Sequence, residues 1–324
     1  MRTLVTGAGG FIGSHLVEHL SSNSEVTAFV HYKSENAEGH LQGWRDSNIS
    51  IVRGDVTDVD QMRRVIEGHD VVYHLAALGG PTYSFEAPAQ YQRVNVGGTV
   101  AVLEAVRAVR GVGCRMVLMS TSEIYGDAQS IPMTEWHPVV PHSPYGASKA
   151  AAELFCTTFA KAFSVDVRIA RCFNVFGPRQ SLRAVIPNMI AQVLSGQTNI
   201  RVADPNITRD YTFVSDTVHA LQLIGAASNF SGPLNVASGE ARSIGDIGRT
   251  IGKLVKQDVT VTADPLYRRP PGGEVYRLHG DSTAIQMQLG WKQDTSFEGG
   301  LRETLEWIQA QPSYEGPQLV TRVS

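Results

Sequence analysis

A glycine pattern near the start constrains this chain more than any other feature. The run Thr6-Gly7-Ala8-Gly9-Gly10-Phe11-Ile12-Gly13 follows directly on an apolar, strand-like beginning and opens a helical pattern at Ile12, Leu16 and Leu20. In that setting Gly7 permits a tight turn, Gly10 lets the backbone approach a pyrophosphate, and Gly13 lets the helix pack closely on the strand. Amides at the helix N-terminus, around Phe11 and Ile12, then attract the anion. A turn that merely needed glycine is the alternative, and the strand-loop-helix context weakens it. The loop predicts a dinucleotide site.

The rest of the chain repeats the same alternation. Short apolar runs at 3–6, 26–30, 49–52, 71–75, 115–120 and 165–171 alternate with longer amphipathic stretches. This pattern predicts an α/β fold with a doubly wound parallel sheet of Rossmann type, covered on both faces. Past about residue 177 the rhythm changes. A helix-like stretch at 185–194 is followed by a strand-like return at 211–214, and Pro and Gly crowd around 268–273. These read as a Rossmann domain over 1–177, completed by about 210–239, with a smaller interleaved C-terminal substrate-binding lobe from 178–209 and 240–324. A chain of 324 residues has room for both.

Composition narrows the class of partner. A net charge of −3 with 18% charged residues supplies no basic surplus, so neither nucleic acid nor a membrane surface is an expected partner. No stretch reaches the roughly 18 apolar residues that crossing a bilayer takes. The apolar run begins at once after Met1 and leaves no room for a signal peptide, so a cytoplasmic location is expected. Cys114, Cys156 and Cys172 lack metal-ligand spacing, and their odd number argues against a disulfide framework; they read as small buried residues.

At the end of the second strand an acidic residue would bind the ribose hydroxyls of NAD and repel the 2′-phosphate of NADP. This chain has Val30-His31-Tyr32-Lys33-Ser34 there instead. With His31 and Lys33 and no carboxylate, NADP is at least as plausible as NAD, tightly bound and recycled in either case. Asp55 and Val56, after the third strand, are candidates for the adenine edge. Ala76 and Ala77, after the fourth, let a cofactor pass close to the backbone.

Tyr145-Gly146-Ala147-Ser148-Lys149 places a phenol and an ammonium at positions i and i+4 on one helix face, behind a Ser143-Pro144 start signal. An adjacent cation favours phenolate, which predicts a lowered tyrosine pKa and a general base for a sugar hydroxyl. About 20 residues upstream, Ser120-Thr121-Ser122-Glu123 brings hydroxyls and a carboxylate to a strand end.

With these residues in view, the chain resembles the extended short-chain dehydrogenase/reductase family of NAD-dependent nucleotide-sugar epimerases and dehydratases. The resemblance runs through the glycine loop, Asn95-Val96-Gly97-Gly98-Thr99, Thr121-Ser122-Glu123, Tyr145 and Lys149, Phe173-Asn174-Val175-Phe176-Gly177-Pro178-Arg179, Thr208-Arg209-Asp210-Tyr211 and Leu289-Gly290-Trp291. It implies Thr121 as the hydroxyl partner of the reacting oxygen, Tyr145 as acid/base, and Lys149 as its electrostatic partner and ribose ligand, with Asn95 on the cofactor side. On the substrate side it implies Asn174, Arg179, Val185 and Arg209, with Arg268 or Arg269 as a second clamp on the diphosphate.

The same resemblance orders the reactions. Thr121-Ser122-Glu123 is similar to the triplet of GDP-mannose 4,6-dehydratase, and the stretches 179–187 and 268–275 look most like 4,6-dehydratases of nucleotide-linked N-acetylhexosamines. Glu123 suits a base for the C5 proton, with Ser122 standing where some relatives carry an acid. A 4,6-dehydratase is the expectation, with a 4-epimerase or a UDP-glucuronate decarboxylase as alternatives. A silent cofactor-sensing relative is disfavoured, because Tyr145 and Lys149 are both present. The helix-like segments 95–109 and 145–163 resemble those that pair in family homodimers, so a homodimer is expected.

Overall fold

The structure, a computed structural model, describes residues 1–32, 38–44, 46–109, 113–228 and 232–311. Lys33 therefore lies outside the described residues. Twelve strands are present among them: β1 (Arg2–Thr6), β2 (Glu25–His31), β3 (Ile49–Gly54), β4 (Val71–His74), β5 (Arg115–Thr121), β6 (Asp166–Cys172), β7 (Asn174–Phe176), β8 (Asn199–Val202), β9 (Thr208–Phe213), β10 (Pro233–Val236), β11 (Ala241–Ser243) and β12 (Thr260–Ala263).

Seven form one sheet in the order β10-β6-β5-β4-β1-β2-β3, every neighbour parallel. The order reverses between β1 and β4, so a crevice opens beyond their carboxyl ends, where this class of sheet holds its ligand. Val5, Ala28 and Tyr73 face one apolar layer and Leu4, Phe29 and Val72 the other. Both faces are thus covered, as continuous apolar runs require. His74, at the end of β4, bonds Thr6 Oγ1 at 2.8 Å and Thr99 Oγ1 at 3.1 Å. Burial, with Lys149 nearby, pushes its pKa down to about 3, so this tie between β1, β4 and the next helix is neutral.

The helix Pro144–Phe163 starts where the sequence signals it. Ser143 Oγ accepts from Gly146 N at 3.1 Å, Pro144 occupies the first turn, and Ser164 ends the helix at φ 56°. Upstream, the helix expected over 95–109 is interrupted. Gln92–Gly97 forms a π-helical turn before the helix Gly98–Ala108, at the point where Asn95 turns its amide away to other partners.

The strand-like return does not join the large sheet at once. β9 pairs with β7 and β11 in a separate three-stranded sheet, and β8 pairs with β12. Only the helix Val214–Ala226 and β10 carry the chain back, with Gln222 Oε1 bonded to His19 at 2.7 Å. The three cysteines are buried and free. No helix among the described residues is long and apolar enough to cross a membrane.

Candidate active site

A cavity of about 510 Å³ lies over the crevice, walled by Gly7, Gly10, Phe11, Ile12, Gly13, His31 and Ala77 at one end and by Ser120, Tyr145 and Lys149 at the other. Gly7 and Gly13 are obligatory on steric grounds. A Cβ on Gly13 would sit 2.2 Å from Gly7 O, and one on Gly7, at φ 70°, would sit 2.8 Å from Ala76 N. Gly10 caps the helix Phe11–Ser21 without a side chain, so the first-turn amides remain available to an anion. Ser120 Oγ is buried in the same wall with no hydrogen-bond partner among the described residues. A bare glycine cradle, a helix N-terminus and an orphaned hydroxyl along one trough fit a dinucleotide such as NAD.

The other expected cofactor residues form a second row. Thr6 Oγ1 accepts from Ala76 N at 3.2 Å. Asp55 Oδ1 accepts from Thr57 N at 2.9 Å and Thr57 Oγ1 at 2.8 Å. Burial opposes its charge, but those hydrogen bonds, with His31 and Arg93 nearby, hold the carboxyl below its usual range. Val56 is buried under Gly98, where a Cβ would sit 2.8 Å away. Asn95 braces the wall rather than lining it: its amide bonds Leu78 N at 2.8 Å, Leu78 O at 3.2 Å and Ser148 Oγ at 2.9 Å.

Sequence reasoning missed a second approach to the glycine loop. His40 N donates to Gly9 O at 3.1 Å, Gly39 lines the cavity at φ 57°, and the Glu38 carboxylate pairs with Arg53. Glu38 thus approaches the cofactor loop through its backbone, its carbonyl oxygen 2.7 Å from where a Cβ on Gly9 would sit, while its carboxylate is held by Arg53. Gly39 was the signal that could have pointed to it.

Tyr145 and Lys149 share one helix face, as their spacing implies. Lys149 Nζ donates to Met119 O at 2.5 Å and is buried. Burial draws its pKa down to about 8, against the opposing pull of Glu153 and two cysteines. The phenol of Tyr145 bonds Thr121 and meets the Tyr91 ring edge-on at 6.1 Å. The expected lowering of the tyrosine pKa is not what the structure has. Burial pushes it up, Thr121 opposes that, and the charge of Glu123 adds to it. Desolvation outweighs helix spacing here.

Beyond Thr121 the strand end turns, Glu123 N donating to Thr121 Oγ1 at 3.2 Å, with Ser122 and Glu123 both buried. Arg269 meets Glu123 with two nitrogens on two oxygens, each at 3.3 Å. Arg269 Nε lies 3.6 Å from Glu274 Oε1, and Arg209 Nη2 approaches the same oxygen at 3.3 Å. Arg209 also donates to Thr208 O at 3.0 Å and Val275 O at 2.5 Å, and burial lowers its pKa. Of the two adjacent arginines, Arg269 enters this cluster while Arg268 is exposed. Glu274 was not singled out from sequence. It lies in the 268–275 stretch, but nothing local to that stretch shows that it shares two arginines.

Three further substrate-side candidates sit elsewhere. Asn174 Nδ2 donates to Asp210 O at 3.3 Å. Val185 opens the helix Val185–Leu194 and packs on the core. Arg179, at φ 69°, turns back onto the first helix, bonding Ser14 Oγ at 3.3 Å and Glu18 Oε2 at 2.8 Å. Its positive φ aims the side chain at the cofactor helix, so it does not join Arg209 and Arg269. No group of side chains able to hold a metal ion is present among the described residues.

The chain is 32% identical over 325 residues to dTDP-glucose 4,6-dehydratase of Streptomyces niveus, covering 95% of this chain and 93% of that one. It is 32% identical over 323 residues to UDP-glucuronic acid decarboxylase 6 of Arabidopsis thaliana, covering 93% and 87%. Among solved structures, UDP-glucuronic acid 4-epimerase from Bacillus cereus, in complex with UDP-glucuronic acid and NAD, superposes with a TM-score of 0.87 at 29% identity, covering 95% of this chain and 99% of that one. Three different outcomes on a nucleotide sugar are thus represented at about the same distance. The family model described as GDP-mannose 4,6 dehydratase matches residues 4–304, and the chain belongs to that family.

Proposed function

We propose that the protein is a nucleotide-sugar 4,6-dehydratase. The observation that carries this reading is Glu123, a buried carboxylate two residues past Thr121 and close enough to Tyr145 for its charge to act on the phenol. NAD bound in the cavity would take a hydride from C4 of the sugar and later return it to C6. Tyr145 takes the C4 hydroxyl proton as phenolate, a form that the positive charge of bound oxidised nicotinamide would favour against the burial that raises its pKa, while Thr121 donates to the same oxygen, leaving a ketone at C4. That ketone acidifies C5, and Glu123 removes the C5 proton. The C6–O bond then breaks, the hydroxyl leaving as water with the proton Glu123 has just taken, and C5 takes a proton from solvent through Glu123 when hydride returns to C6. Arg209 and Arg269 would grip the diphosphate, an anion two guanidinium groups suit. Lys149 would hold the ribose and favour the phenolate.

NAD is the favoured cofactor, because the similar Bacillus cereus structure is in complex with NAD, and the Glu38 carboxylate, once turned from Arg53 toward the ribose, would repel a 2′-phosphate. Residues 178–209 and 240–311 would form the lobe that carries the nucleotide sugar. Leu154 and Phe155 are 69% and 42% exposed on the helix Pro144–Phe163, which supports its pairing in a homodimer.

The experiment is a panel of UDP-, GDP-, dTDP- and CDP-sugars in deuterated water, read by mass spectrometry. A dehydratase removes one water and places deuterium at C5. Products of unchanged mass without C5 deuterium make the protein a 4-epimerase, and loss of carbon dioxide from a uronate makes it a decarboxylase.

A further inference from the structure

We propose that Arg269 is a latch on Glu123, and that the diphosphate of the nucleotide sugar opens it. The inference rests on the reading of Arg209 and Arg269 as the diphosphate clamp. A guanidinium has five N–H donors, and those of Arg269 are nearly all engaged. Nη1 donates to Glu123 at 3.3 Å and to Gly273 O at 3.4 Å, Nη2 donates to Glu123 at 3.3 Å, and Nε faces Glu274 at 3.6 Å, so a phosphate that takes two of these donors must displace a present partner.

Charge makes the exchange favourable. Two arginines and two glutamates balance in this cluster, and Glu123 and Arg269 expose only 7% and 13% of their side chains. A diphosphate adds at least two negative charges to a poorly hydrated site, where a carboxylate and a phosphate compete strongly for the same cation. Glu123 is the partner that yields. Both glutamates meet the arginines at 3.3 Å or more, longer than the roughly 2.7–2.9 Å of a strong charge-assisted pair, so what separates them is their other ties. Glu274 is tied to the framework, since its backbone oxygen meets His142 Nδ1 at 2.9 Å and its Oε1 accepts from Val275 N at 3.0 Å.

The moving part is a side chain, not a loop. Gly273 N donates to Pro270 O at 2.9 Å, and Gly273 packs so tightly on Phe85 that a Cβ would lie 2.5 Å from its ring. The backbone around Arg269 is thereby pinned. When the latch opens, Glu123 loses its counter-cation and becomes a competent base. Chemistry at C5 is then licensed by the nucleotide end of the substrate, and by reciprocity Glu123 weakens nucleotide binding.

The test is calorimetric binding of UDP, dTDP and GDP, each titrated separately into the protein with its cofactor bound. Glu123→Gln should bind the preferred nucleotide about tenfold more tightly than wild type, the size expected for removing a competing charged hydrogen-bond pair. Arg269→Ala should bind it more weakly, and in that background Glu123→Gln should change nothing, because the competition is gone. If Glu123→Gln tightens binding equally in both backgrounds, the effect is general repulsion and the latch is wrong. Unchanged affinity in Glu123→Gln also overturns it. If Arg269→Ala binds like wild type, or no nucleotide binds at all, the diphosphate reading beneath it falls as well. Should Glu123→Gln not fold, Glu123→Asp, which keeps the charge but is one methylene too short for the paired contact, should tighten binding by less than tenfold and only where Arg269 is present; no change, or the same change without Arg269, overturns the latch.

Discussion

Two buried arginine–glutamate pairs in this chain are built in opposite ways. Arg171 and Glu153 join two regular elements, β6 and the helix Pro144–Phe163. Their contacts are 2.7, 3.1 and 3.2 Å, and the remaining Arg171 donor is satisfied by Tyr125 Oη at 3.0 Å and Glu135 O at 2.9 Å. Arg269 and Glu123 join a proline- and glycine-rich loop to a strand end, at 3.3 Å, with a second glutamate shared between two arginines. Burial is similar in the two pairs. Pairing that is short and fully satisfied has no cheaper alternative and acts as scaffold, whereas pairing that is longer and shared can be exchanged for a ligand's charge.

The contrast is broken most forcefully at the scaffold. Glu153→Ala leaves the Arg171 charge buried without its partner and should cost about 3–5 kcal/mol of stability in a urea titration. A loss under about 1 kcal/mol would remove the distinction. The site should show the reverse pattern. Tyr145→Phe, one end of the same helix, should lose about two orders of magnitude in turnover while unfolding like wild type and retaining cofactor. Turnover near the wild-type rate would exclude Tyr145 as the acid/base.

Lys149 lies between Tyr145 and Glu153 on that helix, and its titration sharpens the comparison further. Its folded pKa of about 8 lies below the ordinary 10.5, so between those values the unfolded chain binds the extra proton. Stability should therefore rise with pH from about 8 to 10.5, by at most about 1.4 kcal/mol per pH unit, with the burial cost fully present below that window. Lys149→Met should abolish the rise; a slope that survives the substitution belongs to other groups. The smallest effect is expected at Glu38. Glu38→Gln should shift the ratio of NAD to NADP affinity toward NADP by about tenfold, the scale of one charged contact. An unchanged ratio measured by cofactor fluorescence would mean that Glu38 does not read the ribose.

What was legible in the sequence was what lies on one short stretch of chain. The glycine loop, the Tyr145 and Lys149 spacing and the Thr121 to Glu123 strand end each depend on a single element, so residue order carries their geometry. The parallel sheet followed from repeated apolar runs for the same reason. Legibility ended where two distant segments meet. Neither the choice of Arg269 over Arg268 nor the return of Arg179 onto Glu18 can be read from adjacent letters, because backbone direction at one loop residue decides each. The pKa of Tyr145 depends on how much protein surrounds the phenol, which spacing does not encode. β9 reads as strand-like at its Tyr211-Thr212-Phe213 end, yet it pairs with β7 and β11 rather than in the large sheet.

Glu123→Gln is the variant that most directly tests Glu123 as the base for the C5 proton. It is mixed with the nucleotide sugar that wild type converts, after its fold and bound cofactor have been checked. The amide cannot accept a proton, so oxidation at C4 should proceed and elimination should not. Reduced-nicotinamide absorbance should climb to a stable plateau, with no water lost and no solvent deuterium at C5. Continued conversion at C4 to an epimer of unchanged mass, or water loss near the wild-type rate, would contradict it.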